Sequence, residues 1–234
     1  MENKTSKLKR IALGIQVTIL FLVFITALGF SFKYFHNDET MEKMYKLERT
    51  LQDLRAAMNT DSMRQYQIQK IMAIIDNYNK SMPSSEKYEI ANEIYKMSIK
   101  YSNLDVDLIC ATITHESALT WNPKVKSDAG AMGLMQVMPT TGLYVASYEE
   151  ITWTSPEDIL YNPIYNIRIG SRYLSSLIEY FDDIDAGLAA YNGGQKQAAL
   201  WVANGKSEGI LWAETRNYVP AVRKLYQEYQ GMDI

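Results

Sequence analysis

Within 234 residues, one stretch sets a proton-transfer group inside an apolar run: ICATITHESALTW, residues 109–121, places His115 beside Glu116. A helical zinc-protease motif requires a second histidine one turn on, so that both imidazoles face one ion. Position 119 holds Leu119, and the only other histidine is His36. With one cysteine and two histidines, no ordinary zinc ligand set can be assembled, and neither a metal nor a cofactor is expected. No stretch carries the alternating acidic spacing of a calcium loop. What remains is the glutamate. Val106, Ile109, Cys110 and Ile113 follow helical spacing, and Glu116 falls on the same stripe. Desolvating a carboxyl there would disfavour its charged form and raise its pKa, as a general acid working near neutral pH requires. The other reading, a glutamate solvated at a frayed helix end, stays open on this stretch alone.

Three further clusters join small residues to polar ones. GAMGLMQVMP (130–139) brings a backbone free of bulky side chains near whatever Gln136 touches. AAYNGG (189–194) puts the Tyr191 phenol and the Asn192 amide at a helix end. ETRNYV (214–219) supplies a second carboxylate, Glu214, with Tyr218 four residues on and on the same helical face. Singly these are ordinary features, since Gly-rich stretches are mostly turns and Tyr-Asn before Gly-Gly suits a helix C-cap.

The elements that must hold these clusters read as helices throughout: 86–101, 105–117, 140–147, 163–181, 185–191, 194–204 and 215–230. The Gly-rich stretch 126–142 is expected to be irregular or briefly extended, and SPEDILYNP (155–163) reads as turn chemistry. The domain begins at residue 84, after the helix-breaking Pro83. Upstream, residues 38–80 contain neither glycine nor proline. Met44, Leu47, Leu51, Leu54 and Met58 alternate steps of three and four, and the register continues through Asp61, Gln65, Ile68, Met72 and Ile75. Eight apolar positions of ten make a heptad seam with a polar interruption. A stalk that self-associates and a helix packed on the domain both fit it.

Lys4, Lys7, Lys9 and Arg10 precede an apolar run, 11–32, whose 22 positions would span ~33 Å as a helix. It reads as a membrane anchor, with the basic tail 1–10 in the cytoplasm and the domain on the periplasmic or outer face. Cleavage at Ala27-Leu28-Gly29 is the alternative, although the run is long for a removed signal. Cys110, alone and inside an apolar helix, is core filler that can form no intrachain disulfide. Past Met82 there are 12 basic and 19 acidic side chains, a net of −7, which excludes a nucleic-acid binder.

Taken in order, the motifs closely resemble the catalytic domain of soluble-type lytic transglycosylases, relatives of goose-type lysozyme. They are Glu116-Ser117, then Gly133-Leu134-Met135-Gln136 with Met138-Pro139, then Ala190-Tyr191-Asn192-Gly193-Gly194, then Glu214-Thr215-Arg216-Asn217-Tyr218-Val219. NPIYNIRIGSRYL (162–174) also looks like the family's helix between the second and third motifs. The likeness covers about residues 86–230. It implies a mainly α, lysozyme-like fold that acts on peptidoglycan glycan strands. The bond cleaved would be the β-1,4 link between N-acetylmuramic acid and N-acetylglucosamine, leaving a 1,6-anhydromuramoyl end. Such a reaction needs a single group that protonates the leaving oxygen and then takes a proton from the C6 hydroxyl, whose proximity replaces an incoming water. The resemblance makes Glu116 that group. It implies that Ser117 and Gln136 position the muramoyl sugar and the glutamate, and that Tyr191 and Asn192 line the cleft and hold the N-acetyl group. Tyr218 would steady the oxocarbenium-like transition state, and Glu214 would order the Tyr218 helix. One departure is plain: where the family has an aromatic two residues after Glu-Ser and then a proline, this chain has Leu119, with Trp121 and Pro123 displaced, so the turn beside Glu116 is longer. A hydrolytic muramidase of the same fold and an inactive peptidoglycan-binding scaffold remain the rival readings.

Overall fold

The computed structural model describes residues 2–233, with the side chains of residues 2–6, 11–12 and 35–39 left undescribed, so His36 lies outside the described side chains. The chain divides into two compact units, Met1–Asp61 and Ser62–Ile234. Nine α-helices are described: α1 (Glu2–Tyr78), α2 (Ser84–Lys100), α3 (Val106–Glu116), α4 (Pro139–Ala146), α5 (Pro156–Leu160), α6 (Pro163–Phe181), α7 (Ile184–Gly193), α8 (Gln195–Ala203) and α9 (Ala213–Gln230). A short 3-10 turn, Ser147–Glu149, follows α4. Among the described residues there is no strand, only isolated bridges of Met132 to Lys126 and to Val137 in the Gly-rich stretch. The fold is mainly α, as expected. SPEDILYNP departs from its turn reading. Ser155 accepts a hydrogen bond from the Asp158 amide, and Pro156 at the first helical position starts the short helix α5.

In the first unit, the α1 stretch Lys7–Tyr34 contains an 18-residue segment with a mean hydropathy of 2.5, none of it buried. By length and composition it could cross a membrane. Further along, Met44, Leu47, Leu51, Leu54 and Met58 are all exposed. In the second unit the same register is covered. Ile68, Ile71, Ile74 and Ile75 are fully buried, with Met72 packed against the core. The second compact unit starts at Ser62, upstream of the Pro83 break. Apolar burial decides this boundary, and polar ties reinforce it. Lys70 pairs with Asp107 at 2.9 Å, Arg64 donates to Asn92 at 2.8 Å, and the Tyr229 hydroxyl donates to that of Tyr78 at 3.1 Å.

The core is built around α3. Its buried residues run without a break from Leu108 to Thr114, so the helix is covered on every side and not on one stripe alone. The Asp105 side chain caps it, accepting from the Leu108 amide at 2.7 Å and from the Tyr226 hydroxyl of α9 at 2.5 Å. α3 packs on α9 and α2, while α6 packs on α7 and α2, and α7 on α8 and α9. Glu149 is a buried carboxylate serving as a hub. It accepts from Lys100 at 2.7 Å and Tyr101 at 2.5 Å, and Arg168 and Arg172 approach at 3.4 and 3.2 Å. A buried carboxylate is tolerated only with such partners.

Candidate active site

A helix C-terminus normally presents its last side chains to water. Glu116 ends α3 yet is only partly exposed, because the helix is sunk in the core. Burial raises its carboxyl pKa from 4.5 to about 7; the Tyr218 hydroxyl pulls the other way, and the charge of Glu214 adds to the rise. Tyr218 is 2% exposed, and its hydroxyl has no partner at full hydrogen-bond geometry, although it is close enough to Glu116 to bear on its ionisation. A buried hydroxyl left short of a partner is costly. It marks a place where an atom of a bound molecule can complete the geometry. Burial, and then the charge on Glu116, push the phenols of Tyr191 and Tyr218 well up. Side chains from α3, α7 and α9 thus converge on one point. His115 meets the Tyr218 ring edge-on at 4.8 Å, and burial lowers its pKa.

The second wall is the Gly-rich stretch, and its shape is set by Asn166 of α6. The Asn166 side chain accepts from the Met135 amide at 2.8 Å and donates to the Met132 and Leu160 carbonyls, both at 2.9 Å. Gly133 has φ +80°, and a Cβ there would lie 2.2 Å from the Leu160 carbonyl oxygen, so only glycine fits. Gln136, at φ +45°, donates to the Gly133 carbonyl at 2.9 Å and to Val125 at 3.2 Å, which leaves its own carbonyl oxygen as the unused group. The Tyr191 hydroxyl donates to the Met135 carbonyl at 2.7 Å and joins this wall to α7. Tyr173 of α6 stands 5.5 Å from the Tyr191 ring. Gln136, Met138, Thr141, Tyr173, Tyr191 and Asn192 share a cavity of about 250 Å³. A larger cavity, about 400 Å³, is lined by Trp201, Leu211, Val219 and Arg223. Helical spacing puts it on the face of α9 turned away from Tyr218, and none of the residues above line it.

Asn192 is held from α9. Thr215 donates to its oxygen at 2.7 Å, and its amide donates to Glu214 at 3.5 Å. Glu214 is exposed and engaged with that amide. Ser117 is fully buried, and its hydroxyl accepts from the Trp121 amide at 3.0 Å inside the turn after Glu116. Its work is to hold that turn. Ala118, Leu119 and Trp121 all have left-handed φ (+52°, +61°, +49°), conformations that persist only where the surroundings enforce them. Fully buried Trp121 provides the enforcement, donating from its indole to Thr114 at 3.0 Å; Thr114 in turn bonds the Tyr229 hydroxyl at 2.9 Å.

Sequence reading missed Asn166, Tyr173, Thr114 and Thr215. An asparagine inside the apolar helix pattern of 162–174 was a usable signal for the first. The others look like ordinary helix residues. Among the described residues no three His, Cys, Asp or Glu side chains converge as a metal site would need.

A helical core thus presents one desolvated carboxyl near a Gly-rich wall and two buried or half-buried tyrosines. Residues 93–211 match the transglycosylase SLT domain family, half of the chain, and the chain belongs to that family. It is 34% identical over 147 residues to the soluble lytic murein transglycosylase of Escherichia coli K12, a match covering 58% of this chain and 22% of the relative. Membrane-bound lytic murein transglycosylase C of Glaesserella parasuis is 30% identical over 167 residues, 59% of this chain and 45% of that protein. Among solved structures, an inactive mutant of the lytic transglycosylase Slt from Pseudomonas aeruginosa superposes with a TM-score of 0.52 at 28% identity, covering 58% of this chain and 23% of that one. The chain spans less than a quarter of the soluble Escherichia coli relative's length.

Proposed function

We propose that this chain is a peptidoglycan lytic transglycosylase, cleaving the β-1,4 bond between N-acetylmuramic acid and N-acetylglucosamine to leave a 1,6-anhydromuramoyl end. The observation that carries the reading is the Glu116 carboxyl, raised to about 7 by burial and faced by a buried Tyr218 hydroxyl that lacks a full partner. Glu116 gives its proton to the leaving glycosidic oxygen. Positive charge then develops at the anomeric carbon, near the Tyr218 and Tyr191 oxygens. The C6 hydroxyl of the same sugar attacks that carbon and loses its proton to the Glu116 carboxylate, which restores the acid. One carboxyl serves both steps because the nucleophile is already in place. Gln136 has its amide nitrogen fixed by the backbone, so its carbonyl oxygen is the group left to orient a sugar; Asn192, steadied by Thr215 and Glu214, holds the N-acetyl side.

The rival is a muramidase in which Glu214, whose charge already bears on Glu116, directs a water. Mass spectrometry of fragments from purified murein separates the two, because the anhydro product is lighter by one water. Glu116→Gln should stop cleavage at least a hundredfold with the fold intact, while Glu214→Gln retains most activity. Two variants equally dead and equally folded, with a hydrated product, would make this a two-carboxylate hydrolase.

The stretch Lys7–Tyr34 supports anchoring in a membrane, with the basic flank in the cytoplasm and the catalytic domain on the other side. The exposed seam Met44, Leu47, Leu51, Leu54 and Met58 supports self-association through the part of α1 that precedes Ser62. An alkaline phosphatase fused after Tyr101 should be active and sediment with membranes. Cross-linking should trap a dimer that Leu47→Asp with Leu54→Asp abolishes. An inactive reporter, or a monomer unaffected by the pair, would remove the corresponding reading.

A further inference from the structure

At about 250 Å³, the cavity beside Gln136 and Tyr191 is small for a site that must grip a polymer. Two of its lining residues, Met138 and Thr141, begin α4, and the surface of α4 continues away from them. Thr141, Tyr144 and Tyr148 follow at steps of three and four, the spacing of one helical face. Tyr144 is 67% exposed and Tyr148 51%, and Leu143 beside them is 54% exposed. The two phenol rings stand 5.3 Å apart and 65° from parallel, joined by a hydrogen bond of 3.1 Å between hydroxyls. The Arg172 guanidinium lies over the Tyr148 ring, 5.0 Å from its centre, and is fixed from behind by buried Glu149 at 3.2 Å. Exposed apolar patches of this kind, ordered by their own contacts, mark binding surfaces.

We propose that Tyr144 and Tyr148, backed by Arg172, form an outer binding site for the glycan strand, beyond the cavity that holds the cleaved sugars. The proposal rests on the glycan-cleaving reading of the cleft and adds to it a site that the motifs do not contain. Sugar rings present apolar C–H faces to aromatic rings and hydroxyls to their edges. The Tyr pair offers both, at ~5 to 10 Å from Thr141 along α4 and the 3-10 turn that follows it. Arg172 is held in place through its Nη1, which donates to Glu149 and to the Tyr148 carbonyl, and turns its Nε and Nη2 donors to the strand. A strand leaving the cavity past Met138 and Thr141 meets this platform next.

The test uses the full chain in detergent and peptide-free glycan strands prepared from murein. In the Glu116→Gln background, retention on the strands should weaken about tenfold when Tyr144→Ala and Tyr148→Ala are combined. The Tyr144→Phe, Tyr148→Phe pair, which keeps the rings, should restore most of it. In the active enzyme, the ratio of KM for strands to KM for a tetrasaccharide should rise by a similar factor, whereas a merely structural role would move both values together. Equal retention by the alanine pair, an unchanged ratio, or an effect confined to peptide-bearing murein would overturn the outer site. Failure of the active enzyme to release any murein fragment, with retention still dependent on the tyrosines, would instead overturn the catalytic reading and leave this site standing.

Discussion

At the scale of single residues, the proposed chemistry turns on how far Glu116 is kept neutral. Burial raises its pKa to about 7, the Tyr218 hydroxyl opposes the rise, and the Glu214 charge adds to it. kcat/KM on murein should therefore fall as pH rises through ~7, where the acid form is lost. Two substitutions should move that limb in opposite directions. Tyr218→Phe removes the group that favours the carboxylate and should shift the limb to higher pH, with a lowered rate. Glu214→Gln removes a negative neighbour and should shift it lower. Limbs that move together, or not at all, would deny the coupling. The same pKa is a stability statement. In the unfolded chain Glu116 titrates near its ordinary value, so the fold binds the extra proton between about 4.5 and 7. Its contribution to stability is fully present below pH ~4.5 and is lost as pH rises through ~7. Glu116→Gln should consequently be more stable than the parent at pH 8.5, by at most about 3 kcal/mol, with the gap closing towards pH 4. Urea unfolding at both pH values reads this directly.

At the scale of elements, the Gly-rich wall has only isolated bridges of its own, so a distant side chain must shape it. Asn166 satisfies the Met135 amide and two carbonyls from inside α6. Asn166→Ala would leave those groups buried without partners and should cost about 3 kcal/mol or more in denaturant unfolding. Gly133→Ala should be at least as damaging, since its Cβ would collide with backbone at Leu160 and not with a movable side chain tip. Activity should fall with both, because Gln136 and the Tyr191–Met135 bond ride on the same segment. An Asn166→Ala protein with parental stability would remove the clamp. The turn after Glu116 follows the same logic. Its left-handed residues are held by the Trp121–Thr114–Tyr229 chain, which ties the turn to α3 and to the end of α9.

At the scale of the whole molecule, the polar pair Asp61 and Gln65 separates two uses of one helix. Before it the apolar seam is exposed, and after it Ile68, Ile71, Ile74 and Ile75 belong to the core. Burying an isoleucine contributes roughly 2–3 kcal/mol, so these four together rival the ~5–15 kcal/mol by which a typical domain is stable. A fragment starting at Ser62 should fold cooperatively, whereas one starting at Ser84 should not. Circular dichroism melting of the two decides the matter, and a cooperative transition from the shorter fragment would return the boundary to Pro83.

Local sequence determined the helical class and most helix positions, and it singled out Glu116 as the acid now proposed. Caps such as Asp105, Asn162 and Asp183 act on the amides two or three residues on, and apolar spacing acts within a few turns, so both can be read from a window. The ordered motifs likewise pointed to Glu116, Gln136, Tyr191, Asn192, Glu214 and Tyr218. What surrounds each element is a different matter. Helical spacing suggested one apolar face for α3, yet α2 and α9 close over the rest and bury Glu116 at its end. Nothing local says that Ser117 is buried, with Trp121 folded back onto its hydroxyl. Glu149 looks like a surface acid in a polar stretch until residues some 20 and 50 positions away, Arg168, Arg172, Lys100 and Tyr101, gather round it. Tertiary packing alone decided these cases, because desolvation and long-range pairing depend on which distant helices arrive, and no local periodicity encodes that.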